Sequence, residues 1–339
     1  MGRVGIIGAG SWGTALANLL GTKGQAVAIW GRDEGLLANM KAGRENKKYL
    51  PGVKLSENIE IADTLESVVG GVDFVITAVP AQQHRSVMTA AVGYMRPDAV
   101  VINVAKGIER GSMQTISMIV KEVSPDIRYA VLSGPSHAEE VGQFLPTTVA
   151  VASECPDVAD SVQELFITDR FRVYTNEDVL GLELGGSLKN VIALAAGVSE
   201  GMGFGDNTKA ALMTRGMVEM IRLGTAMGAK SETFEGLSGI GDLIVTCTSR
   251  HSRNRRCGVM IGEGIPPEEA QAKVGMVVEG ILTVDAVKGL MDKHGVEMPI
   301  SLALYRVVKG ELGVQEALEQ LMTRPRKHEK EELPQIGIV

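Results

Sequence analysis

The 339-residue chain has few aromatic residues: Phe, Tyr and Trp make up 4% of it. With a net charge of −7, that scarcity argues against a surface that stacks bases or tracks a nucleic-acid backbone. Cysteine is scarce as well. Cys155, Cys247 and Cys257 are an odd number with no C-x-x-C spacing, so neither a disulfide framework nor a thiolate metal site is expected. Free thiols fit a reducing compartment, and no charged and then apolar leader precedes the first strand candidate. No apolar run is read as approaching the length of a bilayer span. The expectation is a cytoplasmic protein with no metal, no nucleic-acid partner and no integral membrane association.

Glycine, by contrast, is plentiful at 41 residues, and methionine contributes 16. Hydrophobic residues make up 45% of the chain and mean hydropathy is +0.10, as in a globular protein with much to bury. At this length two domains are expected rather than one core. Strand candidates fall at 3–7, 26–30, 74–79, 99–104, 129–133, 147–152 and 171–174, with helical patterns near 34–44, 82–94, 112–123 and 157–166. Several of the strands are continuous apolar runs, as parallel strands covered on both faces require. The alternation predicts an α/β Rossmann-like doubly wound sheet over residues 1–177. From Asn176-Glu177-Asp178 onward the strand signals stop, and apolar residues recur at helical spacing at 207–228, 240–248, 253–263, 278–294, 300–309 and 313–322. An all-α C-terminal domain is therefore expected over 178–323, with a charged, frayed tail at 324–339.

The first strand candidate runs straight into Gly8-Ala9-Gly10-Ser11-Trp12-Gly13, a G-x-G-x-x-G pattern between an apolar strand and a helix at Thr14–Leu20. In that context Gly8 permits a tight turn and Gly10 lets backbone approach a pyrophosphate. Gly13 lets the helix pack against the strand. The second strand ends in Trp30-Gly31-Arg32-Asp33. Arg32 suits the 2′-phosphate of NADP, while Asp33 keeps NAD possible, so dual use is expected.

Later motifs bring chemistry to strand and helix ends. His84, after Pro80, reads as a surface histidine at a helix start. Lys106, in Ala105-Lys106-Gly107, follows the fourth strand; it either faces the crevice or is a solvated loop lysine. Gly134-Pro135-Ser136 reads as a turn and helix cap that exposes amides to an anion. The most informative segment is Gly185-Gly186-Ser187-Leu188-Lys189-Asn190, where one lysine is followed, after Asn190, by eight uncharged residues. Such a lysine either snorkels to water or works desolvated, with a lowered pKa that suits proton donation. Gly241-Asp242 precedes Arg250, Arg253, Arg255 and Arg256, which read either as a solvated basic face or as a phosphate clamp with Ser252 and Asn254. Glu279 follows Val277-Val278, as a helix N-terminal carboxylate does.

With Lys189-Asn190, Gly241-Asp242 and Ser252-Arg253-Asn254 on one chain, the sequence resembles the bacterial-type NAD(P)-dependent glycerol-3-phosphate dehydrogenases. The resemblance spans about residue 3 to about residue 322, including Val104-Ala105-Lys106-Gly107, Ser133-Gly134-Pro135-Ser136 and Val278-Glu279-Gly280. It implies a Rossmann domain joined to a helical one, and reduction of dihydroxyacetone phosphate to sn-glycerol 3-phosphate for phospholipid synthesis. It also implies NADP(H) or NAD(H) as cofactor and, commonly, a homodimer. By that resemblance Lys189 is the proton donor to the carbonyl oxygen, and Lys106 touches substrate and cofactor. Gly134, Ser136, Asp242, Ser252, Arg253 and Asn254 hold the substrate. Ser11, Trp12, Arg32, Ala138, Arg253, Val277 and Glu279 line the cofactor beside Gly8, Gly10 and Gly13. Many members carry Thr where this chain has Ser136, a swap that keeps the hydroxyl. The 3-hydroxyacid and 6-phosphogluconate dehydrogenases share the general plan but fit the Ser252-Arg253-Asn254 cluster less well. A non-catalytic dinucleotide sensor would need no buried Lys189.

Overall fold

Apolar runs become strands here because alternate residues of each strand face two different hydrophobic clusters. Val4 and Ile6 pack on one side of the sheet and Ile7 on the other; Val100 and Ile102 are likewise opposed by Val101. The computed structural model describes residues 2–326, 328 and 329. In chain order the first half holds β1 (Val4–Ile7), α1 (Ser11–Thr22), β2 (Val27–Trp30), α2 (Glu34–Gly43), β3 (Ile59–Ile61), α3 (Leu65–Val69) and β4 (Phe74–Thr77). It continues through α4 (His84–Ala91), β5 (Val100–Asn103), α5 (Ile116–Val123), β6 (Arg128–Ser133), α6 (Ala138–Gly142), β7 (Thr147–Ala152), α7 (Pro156–Phe166) and β8 (Phe171–Asn176).

The eight strands lie in the order β3-β2-β1-β4-β5-β6-β7-β8. Strand order reverses between β1 and β4, the position where doubly wound sheets open a ligand crevice. The sheet departs from the sequence reading in two places. Strand β3 was not expected, because its three residues, buried only alternately, are too short to stand out from a loop. Strand β7 runs antiparallel to β6, so β7 and β8 form a parallel pair opposed to the rest. The connection from β6 to β7 holds only the five-residue α6, which does not carry the chain back across the sheet.

Among its described residues the second half holds helices and no strand. Its elements are α8 (Val179–Gly201), α9 (Asp206–Ala226), α10 (Ser231–Phe234), α11 (Asp242–Thr248) and α12 (Arg253–Gly262), followed by α13 (Pro267–Val274), α14 (Glu279–His294), α15 (Pro299–Val308) and α16 (Val314–Met322). Helix α8, capped by Asp178 through Gly181 N at 2.8 Å, forms the centre of this half. It corrects one expectation: it is long and apolar enough to cross a membrane, yet 89% of its apolar window is buried inside the protein. Gly197 on α8 and Gly258 on α12 let the two helices touch backbone to backbone; a Cβ on Gly197 would lie 2.2 Å from Arg255 O. Lys327 and residues 330–339 of the predicted tail lie outside the described residues.

A buried carboxylate joins the two halves. Glu183 Oε1 of α8 accepts from Ser117 N at 2.9 Å and from the Tyr129 hydroxyl at 2.5 Å, and its Oε2 accepts from Ser117 Oγ at 2.6 Å. Burial pushes this carboxyl up, and the donors from α5 and β6 oppose the shift. This tie fixes α8 against the sheet less than two helical turns before Lys189.

Candidate active site

A cleft of about 940 Å³ opens at the β1/β4 reversal, between the carboxyl ends of the strands and the helical half. Its sheet-side wall is the glycine loop. Gly8 sits at φ +122°, and a Cβ there would lie 2.5 Å from Ala78 O at the end of β4. Gly13 has its α-carbon under the same turn, where a Cβ would meet Gly8 O at 1.9 Å; it packs the loop and does not border the cleft. Gly10 is the opposite case. A Cβ there would meet nothing within 4 Å, so open space for a ligand lies against the backbone. No side chain caps α1 at Gly10, which leaves its first amides toward the cleft beside Ser11 and Trp12. Asn46, which sequence reasoning missed, pins this loop by donating to Ala9 O at 2.9 Å and Thr14 Oγ1 at 2.8 Å. The wall thus fits a dinucleotide pyrophosphate.

The helical wall supplies charge. A π-helical turn, Leu237–Gly241, leads into Asp242, which is 1% exposed. Asp242 Oδ1 accepts from Lys189 Nζ at 2.9 Å and its Oδ2 from Lys106 Nζ at 2.6 Å. Burial works against the Asp242 carboxylate, but the two ammonium groups outweigh it and hold its pKa below the ordinary range. Burial lowers Lys189 to about 8, with Asp242 opposing the shift and Lys106 adding to it.

The two lysines differ in what they have left to give. An ammonium has three N–H donors. Those of Lys106 are matched by Asp242, Gly134 O at 2.8 Å and Ser136 Oγ at 3.3 Å. Lys189 donates to Asp242 and to Thr246 Oγ1 at 2.7 Å, so one donor remains for a ligand. Thr246 was not singled out from sequence, although it stands one turn after Asp242 on α11. The solvated-loop alternative for Lys106 is overturned. Ser136 also departs from the cap reading: His137 is the residue before α6, and the Ser136 hydroxyl donates to Gly134 O at 2.7 Å.

Arg253 is the arginine of its cluster that borders the cleft. Arg255 instead pairs with Glu200, and Arg250 and Arg256 are exposed away from it. Among the described residues the Arg253 guanidinium has no hydrogen-bond partner, and burial lowers its pKa against the pull of Glu279 and Glu139. A desolvated, unpaired guanidinium is suited to a bidentate anion. Ser252 caps α12 by accepting from Arg255 N at 3.2 Å. Asn254 donates to Asn190 Oδ1 at 2.8 Å and accepts from Gly280 N at 2.9 Å, while Asn190 donates to Lys106 O at 3.0 Å. Glu279, at the start of α14, reaches across the cleft and accepts from Ala81 N at 3.2 Å. Ala138, Val277 and Arg32 also border the cleft; Gly134 lies behind it. His137 and His251, 5.9 Å apart between ring centroids, border it too and were not predicted. His84 is corrected. It is fully buried, with Nε2 3.0 Å from Thr77 Oγ1, and burial pushes it down to about 4.

A glycine loop at a sheet reversal, facing a buried lysine–aspartate–lysine group and an unpaired arginine, defines a dinucleotide-dependent dehydrogenase acting on an anionic substrate. Comparison with known proteins gives the family. The model of the NAD-dependent glycerol-3-phosphate dehydrogenase N-terminus matches residues 3–159, and that of the C-terminus matches residues 178–319. The glycerol-3-phosphate dehydrogenase (NAD(P)+) of Carboxydothermus hydrogenoformans is 51% identical over 96% of this chain and 98% of its own. That of Pelotomaculum thermopropionicum is also 51% identical, over 98% of this chain and 96% of its own. The crystal structure of glycerol-3-phosphate dehydrogenase from Coxiella burnetii aligns with a TM-score of 0.92 at 38% identity, covering 95% of this chain and 99% of that one. The chain belongs to the NAD-dependent glycerol-3-phosphate dehydrogenase family, and its activity is NAD(P)-dependent glycerol-3-phosphate dehydrogenation. Among the described residues no cluster of His, Cys, Asp or Glu is placed to hold a metal ion.

Proposed function

We propose that Lys189 is the general acid for reduction of dihydroxyacetone phosphate to sn-glycerol 3-phosphate, and the general base in reverse. The observation that carries this reading is the sharing of buried Asp242 between two lysines, of which Lys189 alone keeps a free donor. A reduced nicotinamide, when bound in the cleft, would supply hydride for the carbonyl carbon. Lys189 Nζ donates its free N–H to the carbonyl oxygen, stabilising the charge that develops there and then giving up the proton. Asp242 and Thr246 hold that ammonium in place. Arg253 takes the substrate phosphate, with Ser136, Ser252, Asn254 and Gly134 shaping the rest of its site. Lys106 contacts the substrate by exchanging one of its present partners. The glycine loop and the first amides of α1 take the pyrophosphate, and Trp12, Ala138, Val277 and Glu279 flank the nucleotide. Arg32 accepts the 2′-phosphate of NADP.

The same reading takes residues 1–177 and 178–323 as two domains, with the cofactor held by the first and the substrate by the second. It also takes the enzyme to be a cytoplasmic homodimer that supplies glycerol phosphate to phospholipid synthesis, on the strength of the family resemblance. The test is to mix pure protein with dihydroxyacetone phosphate and follow NADPH and NADH oxidation separately across pH. The free enzyme must enter protonated at Lys189, so kcat/KM for reduction is expected to fall as pH rises through about 8. For glycerol phosphate oxidation it is expected to rise over the same range. A flat reduction profile from pH 6 to 10 would remove Lys189 from the role.

A further inference from the structure

In this architecture the end of the second strand distinguishes NAD from NADP: an acidic residue takes the ribose hydroxyls, and a basic one accommodates the 2′-phosphate. Here both types are adjacent. Arg32 and Asp33 border the same end of the cleft. A free Asp33 would favour NAD and repel a phosphate dianion. It is not free. Its Oδ1 accepts from Leu36 N at 2.9 Å, capping α2, and its Oδ2 accepts from Lys48 Nζ at 2.9 Å. The amide of Leu36 first, then Lys48, hold the carboxyl below its ordinary pKa, so the charge is present and must be balanced.

Lys48 is placed to balance it without touching the ligand. It does not border the cleft, whereas its neighbour Tyr49 does. The segment is held in place: Tyr49 N donates to Asn46 Oδ1 at 3.1 Å, and Asn46 in turn pins the glycine loop. The Lys48 ammonium lies 5.1 Å from the Tyr49 ring centroid, a second contact that keeps it beside Asp33. The pair is about half exposed on both sides, so it adds little to stability. Its consequence falls on a charged ligand nearby.

We infer that Lys48 is a cofactor-specificity residue that acts through Asp33, cancelling the carboxylate next to Arg32 so that the cleft accepts a 2′-phosphate. The inference rests on the reading of Arg32 as the phosphate-accepting residue. The cap amide and Lys48 occupy one site on each oxygen of the Asp33 carboxylate, which weakens it as an acceptor for the ribose diol. Removing Lys48 restores the repulsion toward a 2′-phosphate, a group that NADH lacks.

The test measures dissociation constants of NADPH and NADH by quenching of protein fluorescence, since Trp12 and Trp30 both border the cleft. Turnover is not needed. Lys48→Gln is expected to weaken NADPH about three- to tenfold and to change NADH by no more than about twofold. Asp33→Asn keeps an oxygen for the α2 cap; added to Lys48→Gln, it is expected to restore NADPH binding to within about twofold of the original. An unchanged NADPH-to-NADH ratio in Lys48→Gln would overturn the inference. So would a double variant that stays weak for NADPH, because Lys48 would then act on the phosphate itself. Unaltered protein that binds NADH but not NADPH would instead remove the Arg32 reading, and this inference with it, before any variant is made.

Discussion

The two walls of the cleft work by different physics. The sheet-side wall offers backbone: Gly10 leaves open space, Gly8 and Gly13 let chain segments approach within distances no side chain allows, and α1 presents uncapped amides. The helical wall offers side chains whose charges balance one another, with Asp242 between Lys106 and Lys189 and an unpaired Arg253 nearby. A backbone wall is made by consecutive residues and tolerates no added atoms. A charged wall is assembled from residues 53 and 136 positions from Asp242, and it tolerates changes of shape better than changes of charge. The first suits a cofactor common to many enzymes. The second suits one substrate and one proton transfer.

That contrast predicts different failures on each side. The largest effect is expected from Lys189→Met, which keeps the bulk and removes the acid. Turnover should fall about a hundredfold to ten-thousandfold with NADPH affinity unchanged, as steady-state rates and fluorescence titration would show. Loss of cofactor binding in a folded variant would mean the walls are not independent. Next is Arg253→Ala, which removes about 1.5–3 kcal/mol of substrate binding through charge-assisted bonds. It should appear in the KM for dihydroxyacetone phosphate; an unchanged KM would leave Arg253 without a substrate role. The smallest of the three is Gly13→Ala. Its Cβ would lie 1.9 Å from Gly8 O, so the loop must shift, at a cost of about 1–3 kcal/mol. The loss should fall on cofactor affinity and melting temperature, while the pH limb assigned to Lys189 stays near 8. A displaced limb would show that the glycine loop also positions the lysine.

What could be read in the chain follows the same division. Gly8, Gly10 and Gly13 were legible because the turn, the strand before it and the helix after it are contiguous. Lys189 was legible because an isolated lysine in an apolar helix is unusual within a short window. Thr246 was not: a threonine one turn after an aspartate has many uses, and its contact with Lys189 exists only once α8 and α11 are packed. The arginine cluster was left open between a solvated face and a phosphate clamp. Four arginines read alike by local pattern, yet α12 turns Arg253 to the cleft, Arg255 to Glu200 and Arg256 to water, while Arg250 lies exposed in the turn before it. His84 looked exposed because a helix start is usually a surface position, but the end of β4 buries it against Thr77.

By itself the sequence determined the sheet and helical halves, the glycine loop and the presence of one lysine isolated in an apolar helix, because each is written in neighbouring residues through periodicity, turn chemistry and local polarity. Only the tertiary structure decided that Lys106 and Lys189 share one carboxylate, that a single donor is left over, and that Lys48 pairs with Asp33. Those facts depend on distances between segments far apart in the chain. In the Lys106–Asp242–Lys189 group the charges interact strongly because packing removes water from around them.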